Sequence, residues 1–196
     1  MKKNHILFLV ASLAIIASCK KDNTNNPNST GIDGTYTFNA MHSTTNSTIT
    51  SDDGEKIVTL ADWTSANNQG TIVFKNGNAT NSNFSYSVNS VSKGYYYEDN
   101  VLVDSMSSPL VLTIPTTNSV STYQLIGADS IYFPKGGFAT IGTSTSSTNA
   151  GGGHYKISGN QLTLTINGIK DSTFSDSGTM YQVQQSVVSS IVLVKQ

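Results

Sequence analysis

The sequence predicts an all-β domain of about eight to ten antiparallel strands joined by hairpins. Three observations favour this fold class. Apolar and polar residues alternate with a period of two along many short stretches, turn residues such as Asn-Gly separate these stretches, and no segment keeps a helical period over three turns. Ser, Thr and Asn are abundant, and their side chains suit turns and exposed strand faces.

Two turn signals organise the first half of this domain. The Asp-Asp-Gly of 52–54 ends a polar connection over 42–54, and the Asn-Gly-Asn of 76–78 is a strong hairpin signal. Residues 61–68, which include Trp63, are predicted to form a turn or a short helical bend. The strands predicted in this half are 34–40, 56–60, 71–74 and 83–91.

The second half repeats the pattern with longer connections. Pro115 ends its strand or confines it to a sheet edge, because proline has no N–H to donate to a ladder. Residues 142–153 are low in complexity and residues 171–178 are polar, so both are predicted to be loops. The strands and hairpins predicted in this half are 95–103, 110–114, 123–133, 154–166 and 180–194.

The N-terminus has the pattern of an export signal. Lys2 and Lys3 precede an apolar run over 6–17, and small residues follow it. The run is too short for a permanent membrane helix, which needs about 20 apolar residues. The ending before Cys19 resembles a bacterial lipobox. This resemblance implies that 1–18 is a lipoprotein signal peptide and that Cys19 becomes the acylated first residue of the mature chain.

A lipid on Cys19 would make a bilayer of the bacterial cell envelope the protein's partner, and we expect the outer membrane, on its periplasmic or its surface-facing side. Residues 19–33 are polar and rich in Asn, with too little apolar surface to fold, and are predicted to be a flexible tether. The folded domain is predicted over 34–196. The alternative is an ordinary secretory signal that happens to have Cys19 near its cleavage site.

Composition excludes several functions. Charged residues make up 12% of the chain, against about 25% in a typical soluble domain. The net charge is −1 and the chain contains no arginine, so we expect no nucleic-acid partner. Cys19 is the only cysteine, which rules out disulfides within the chain and sites with several thiolate ligands. No cofactor is predicted.

The sequence predicts neither an enzyme nor a metal site. Catalysis would need His42 or His154 beside a serine and a carboxylate, and no Gly-x-Ser-x-Gly motif is present. Acidic residues at 52–55 and 171–176 offer oxygens of the kind that Ca²⁺ binds, but they lack EF-hand spacing. They are predicted to be turn formers. Trp63 and the tyrosines of 95–97 are candidates for stacking on sugars or lining a cavity, or else for packing in the domain.

Three short segments resemble the lipocalin-like domain of bacterial lipoproteins. They are the Gly-Thr-Tyr of 34–36, the hairpin over 155–164 and the terminal strand over 191–195. The resemblance implies an up-and-down β-barrel whose first and last strands pair. In the lipocalin family a tryptophan stands at the position of Tyr36 and an arginine of the last strand covers it; Lys195 is the nearby cation here. Barrel closure would also remove exposed strand edges.

We therefore expect a non-catalytic, lipid-anchored envelope protein with a lipocalin-like barrel. Such a barrel either fills its interior with side chains or holds one small apolar or amphipathic ligand there. The alternative is a β-sandwich at the cell surface that binds glycans or another envelope protein. Strand pairing separates the two: 35–41 beside 187–194 is expected for the barrel, and two separate sheets for the sandwich.

Overall fold

A computed structural model describes residues 31–135, 151–176 and 178–196, and this part consists of β-strands without a helix. The strands are β1 (Gly34–Ser51), β2 (Glu55–Thr64), β3 (Ala66–Lys75), β4 (Asn78–Glu98), β5 (Val101–Thr122), β6 (Gln124–Ile126), β7 (Ser130–Phe133), β8 (Gly151–Ser158), β9 (Gln161–Asp176) and β10 (Thr179–Lys195). They form one antiparallel sheet. The predicted all-β, antiparallel up-and-down fold is therefore confirmed.

β2 and β3 together take the place of one long strand between β1 and β4. β3 pairs with the first part of both neighbours, and β2 pairs with their second part. At the break, the N–H of Ser65 donates to the carbonyl of Met41 at 2.8 Å, and its hydroxyl accepts from the N–H of Met41 at 2.7 Å. The order across the sheet is β5, β4, β2 with β3, β1, β10, β9, β8, β7 and β6.

The first and last long strands are neighbours. β1 pairs with β10 from Tyr36 opposite Lys195 to Ser51 opposite Tyr181. This is the pairing that the barrel prediction required. The ten strands also belong to a single hydrogen-bonded sheet, rather than to the two separate sheets expected for the sandwich.

The two ends of the sheet meet through the chain itself. β5 and β6 lie at opposite ends of the strand order, and Tyr123 is the single residue between them. The N–H of Tyr123 donates to the carbonyl of Gly77 at 2.7 Å. In the described ranges no backbone ladder joins β5 to β6 or β7. Among the described residues, the two ends of the strand order are therefore joined by the chain itself, and no hydrogen-bonded ladder closes the ring.

One part of the sheet encloses the hydrophobic core. Phe38, Phe74, Phe133 and Leu193, which come from four strands, are fully buried in a single apolar cluster. Ile32 is buried in the same cluster, although it precedes β1. We call this part the core half, and it consists of residues 32–43, 63–89, 110–133, 151–166 and 189–195.

The other part of the sheet extends beyond the core. We call it the extension, and it consists of residues 44–51, 55–62, 90–98, 101–109, 167–176 and 179–188. Among its described residues, only Ser51 is buried. Both faces of the extension are therefore open to solvent. At its boundary with the core half, the hydroxyls of Ser43 and Ser189 lie 2.9 Å apart and both residues are fully buried.

Several predicted connections are strands in the structure. Residues 42–51 continue β1, 61–64 complete β2, and 171–176 complete β9. The predictions of loops or a helical bend over these residues were wrong. In the extension both faces of the strands are exposed to solvent, so polar residues occupy both faces. The alternation of polar and apolar residues that marks a strand is therefore lost.

The start of the domain is close to the predicted boundary. β1 begins at Gly34, as expected, but the buried Ile32 already belongs to the core. Most of the predicted loop over 142–153 lies outside the described residues, and its last three residues belong to β8.

Candidate functional site

A groove lies on the face of the extension that points away from the core side of the sheet. Met41 and Ser43 of β1 are buried, so the side chains of Thr44 and Asn46 project from the opposite face. The groove has a volume of about 410 Å³. It is lined by Thr44, Thr45, Asn46, Leu60, Ala61, Asp62, Val91, Lys93, Tyr95, Ser186 and Val188.

Three aliphatic side chains give the groove an apolar floor. Leu60, Val91 and Val188 come from β2, β4 and β10, and they are 37%, 52% and 45% exposed. Strand pairing places Leu60 between Asn46 and Lys93. Apolar side chains exposed together in a concave surface are typical of binding sites, whereas single exposed apolar residues are ordinary.

The rim of the groove carries both signs of charge. Asp62 lies at one end, where its Oδ1 is 2.8 Å from Nε2 of His42. Lys93 and Tyr95 follow each other along one face of β4. An apolar floor with a carboxylate, an ammonium group and a tyrosine around it can hold an amphipathic molecule and orient its polar end.

Aromatic side chains pack against one another on the core side of the sheet in the core half. Phe38 and Phe84 pack with ring centroids 4.4 Å apart, and Phe74 and Tyr123 meet edge to face at 5.4 Å. Trp63 is 5% exposed and stacks on Tyr86. Trp63 is therefore a core residue and not an exposed platform for sugars. The groove lies on the opposite face from the interior position that the sequence led us to expect for a ligand.

Tyr36 near the start of β1 and Lys195 at the end of β10 lie close together. The Lys195 amine lies 5.9 Å from the centroid of the Tyr36 ring and donates to the carbonyl of Asp33 at 3.3 Å. The Tyr123 hydroxyl donates to the Asp33 carboxylate at 2.9 Å. Burial raises the pKa of Tyr123 and of Tyr36, and the negative charge of Asp33 adds to both effects. These contacts tie the start of β1 to the residue that links β5 and β6.

His154 lies beside a serine and a carboxylate, but in an arrangement unsuited to nucleophilic catalysis. Its Nδ1 is 3.5 Å from the Ser130 hydroxyl and 3.8 Å from the Asp129 carboxylate. In a catalytic triad the two ring nitrogens face different partners, and here one nitrogen faces both. Ser130 instead donates to Asp129 at 3.0 Å. His42 and Asp62 form a second contact between a histidine and a carboxylate, and this one lies at the rim of the groove.

The turns at the tip of the extension collect acidic residues. The Tyr96 hydroxyl donates to Glu55 at 2.8 Å and to Glu98 at 3.1 Å, and these bonds raise the pKa of Tyr96. The Ser51 hydroxyl donates to Asp53. Within the described residues, no group of three or more His, Cys, Asp or Glu side chains is arranged to hold a metal ion. Hydrogen bonding within the turns accounts for this cluster.

Tyr95–Tyr97 separate as alternation predicts. Tyr95 lines the groove, Tyr96 bonds the acidic turns on the other face, and Tyr97 lies beneath the Lys56 amine at 4.4 Å from its ring centroid. The sequence did not single out Leu60, Val91 or Val188. A strand prediction extended through 42–51 would have placed Thr44 and Asn46 beside Leu60 and shown apolar residues on the outward face.

The predicted signal peptide, Cys19 and the tether up to residue 30 lie outside the described residues. No helix in the part of the chain described is long and apolar enough to cross a membrane. No family model, curated protein or solved structure matches this chain.

Proposed function

We propose that this protein is a lipid-anchored lipoprotein of the bacterial cell envelope whose β domain binds a small amphipathic molecule in the groove of the extension. The domain is proposed to be lipocalin-like and non-catalytic. The observation that carries the binding proposal is the cluster of Leu60, Val91 and Val188, exposed together in one groove with Asp62, Lys93 and Tyr95. Such a surface favours an apolar chain or ring with a polar head.

The envelope location rests on the N-terminal sequence. A basic start, a short apolar run and small residues before Cys19 favour export and acylation. One acyl chain holds a protein to a bilayer only marginally, and two or more make the attachment stable. A mature lipoprotein cysteine carries several, so the anchor is sufficient by itself. The outer membrane is the bilayer we propose, on its periplasmic or surface-facing side.

The anchor is tested by Cys19→Ala in the full chain. We expect this variant to leave the membrane fraction and to lose partitioning into the detergent phase, because the acylated side chain is gone. Ser18→Ala is a matched control, since it keeps a small residue before the cysteine. Unchanged detergent-phase partitioning of Cys19→Ala would refute the lipid anchor.

The groove is tested by measuring binding of fatty acids and lysophospholipids to residues 20–196 by titration calorimetry. The double variant Leu60→Ser with Val91→Ser should weaken binding at least tenfold, because burying one aliphatic side chain contributes about 1.5–3 kcal/mol and about 1.4 kcal/mol is a factor of ten. Val120→Ser is the control, since Val120 is 67% exposed and lies outside the groove. Equal affinity of the double variant and this control would contradict the proposal.

A second candidate is glycan binding, which the position of Tyr95 in the groove favours because an aromatic ring can stack on a sugar. Oligosaccharides are therefore titrated alongside the lipids. Binding of oligosaccharides alone, with loss in Tyr95→Ala and retention in Tyr97→Ala, would replace the amphipathic ligand by a glycan.

A further inference from the structure

A row of side chains crosses the extension on the core side of the sheet, opposite to the groove. Strand pairing sets Val183 beside Ile49, Ile49 beside Ile57, and Ile57 beside Tyr96. Directly paired residues of antiparallel strands project from the same face. This face is the core side, because alternation along β1 relates Ile49 to the buried Ser43. The row therefore runs across β10, β1, β2 and β4.

An aromatic pair extends this row toward the tip of the extension. Tyr181 is paired with Phe174 of β9, and their rings stack with centroids 4.9 Å apart and planes inclined by 12°. Tyr181 lies two residues before Val183, so both side chains project from the same face. We call these six residues the tip face, and they are Ile49, Ile57, Tyr96, Phe174, Tyr181 and Val183.

The tip face is open to solvent. Ile57 is 42% exposed and Phe174 is 47% exposed, and the other four side chains are half-buried. Val183 and Tyr96 are three strand spacings apart, or about 14 Å at about 4.8 Å per strand. Apolar side chains that are exposed together mark interaction surfaces. A surface spread over several paired strands suits a polypeptide better than a small molecule, which prefers a concave pocket.

Carboxylates border the tip face. Glu55 and Glu98 are directly paired on this side of the sheet, and Asp104 is paired with Tyr96. Desolvation raises the pKa of Tyr181, and nearby negative charges raise it further. These charges belong to Asp53, Glu55, Asp176 and Asp52. The aromatic pair therefore lies in a negative electrostatic potential.

The charges of Glu55 and Glu98 are not balanced by a described lysine. The Tyr96 hydroxyl bonds to both carboxylates, but it has only one proton to donate. Among the described side chains, neither carboxylate forms an ion pair with a lysine. Lys56 projects from the opposite face, where its amine lies 4.4 Å from the centroid of the Tyr97 ring. Because like charges directly opposite each other destabilise a sheet, a cationic partner would be stabilising here.

We propose that the tip face docks a basic polypeptide segment in which lysine or arginine side chains accompany apolar ones. The apolar side chains of the segment pack on the aliphatic row, and its cations reach Glu55 and Glu98. The stacked rings of Phe174 and Tyr181 also attract cations. This docking does not depend on the groove, which lies on the opposite face of the sheet.

The same charges disfavour two other occupants. A second copy placed face to face would set the carboxylates of one chain against those of the other, and like charges across an interface weaken binding. The headgroups of an anionic bilayer would be repelled in the same way. Charge complementarity therefore favours a cationic partner over both.

The test is titration calorimetry of residues 20–196, which include every residue that the structure describes, with synthetic peptides. The probe is a peptide of alternating lysine and leucine. Two control peptides have the same length: one alternates glutamate with leucine, and the other alternates lysine with serine. We expect the lysine–leucine peptide to bind at least tenfold more tightly than either control, because it alone has both the charge and the apolar side chains.

Two substitutions locate the docking site. Glu55→Gln should weaken binding of the lysine–leucine peptide at least threefold. Its control is Asp129→Asn, which removes an exposed carboxylate from the β6–β7 turn of the core half. Ile57→Ser should weaken binding at least fivefold. Its control is Val120→Ser, because Val120 is exposed in the core half. Both controls should bind the peptide as the unchanged chain does.

Three results would overturn the proposal. They are no measurable binding of the lysine–leucine peptide, equal affinity for either control peptide, and equal affinities of the two variants and their controls. The groove variant Leu60→Ser with Val91→Ser separates this proposal from the ligand proposed for the groove. It should bind the lysine–leucine peptide as tightly as the unchanged chain does. A tenfold loss in this variant would place the peptide in the groove and overturn docking at the tip face.

Discussion

Tyr123 shows how much a single residue does at the point where the sheet is completed. It separates β5 from β6, packs edge to face on Phe74, and donates its hydroxyl proton to Asp33. The residue is 1% exposed. Its ring contributes to the core while its hydroxyl ties down the segment that precedes β1.

We predict that Tyr123→Phe lowers the free energy of unfolding by about 1.5–3 kcal/mol, because it removes a hydrogen bond to a charged group and leaves the ring in place. Urea denaturation measures the loss. Tyr96→Phe is the control, since it also removes a hydroxyl bonded to carboxylates but at an exposed position. A loss of the same size in both variants would show that burial of the Tyr123 contact is unimportant.

Alkaline pH should destabilise the fold through its buried tyrosines. Burial raises the pKa of Tyr123, Tyr86 and Tyr36 above 10.0, the ordinary pKa of a tyrosine. Above this value an unfolded tyrosine loses its proton while the folded one keeps it, so stability is fully present below about pH 10 and falls as pH rises beyond it. Urea midpoints measured from pH 8 to pH 11 should fall less steeply in Tyr123→Phe. If the urea midpoint fell equally steeply with pH in the unchanged chain and in Tyr123→Phe, the loss of stability could not be assigned to Tyr123.

Residue roles were predicted from the sequence where local pattern decides them. The 76–78 turn carries positive φ at Asn76 and Gly77, as an Asn-Gly hairpin requires. The burial of Trp63 was not decided by its neighbours in sequence, because its environment is supplied by Tyr86 of another strand. Contacts between distant segments leave no local signal.

At the scale of elements, β8 depends on glycine for its place between β7 and β9. Gly153 lies opposite Ile131 on one side and Ile166 on the other. A Cβ atom at Gly153 would overlap the carbonyl oxygen of Thr165, whereas a Cβ at Gly151 would meet nothing within 4 Å. The glycine run of 151–153, predicted as loop, is therefore a strand that lies close to its neighbour.

We predict that Gly153→Ala lowers the free energy of unfolding by about 1–3 kcal/mol, the typical cost of forcing extra atoms into a packed site. Gly151→Ala should change it by less than about 1 kcal/mol, because the same methyl group finds open space. Thermal unfolding followed by circular dichroism compares the two. A similar loss of unfolding free energy in both variants would mean that backbone flexibility, and not lack of space for a side chain, explains why glycine occupies these positions.

The sequence left two segments of the extension, 42–51 and 171–176, without a strand prediction. Thr, Ser and Asn dominate 42–51 and 171–176, and composition of this kind indicates a loop when periodicity is absent. These segments are strands because they pair with β2 and β10 along their length. Pairing partners from elsewhere in the chain override the local preference.

At the scale of the whole molecule, the contrast between the core half and the extension should govern local stability. β1, β9 and β10 run through both parts. We predict that amides of 36–41 and 189–193 exchange at least tenfold more slowly than those of 45–50 and 181–187. The slower set lies in strand segments that pack on the buried core, and the faster set lies in strand segments that do not. Hydrogen exchange measured by mass spectrometry tests this. Uniform protection along β1 would contradict it.

The order in which the strands meet also follows from the sheet topology. Every pairing within β1–β5 and within β6–β10 joins strands that are consecutive or nearly so. The β1–β10 ladder is different: Ser43 and Ser189 are 146 residues apart in sequence. Closing a loop of that length costs roughly 3 kcal/mol more than closing a four-residue turn. The segments β1–β5 and β6–β10, which Tyr123 links, are thus joined by one long-range ladder. The rate of folding therefore depends on how fast β1 pairs with β10.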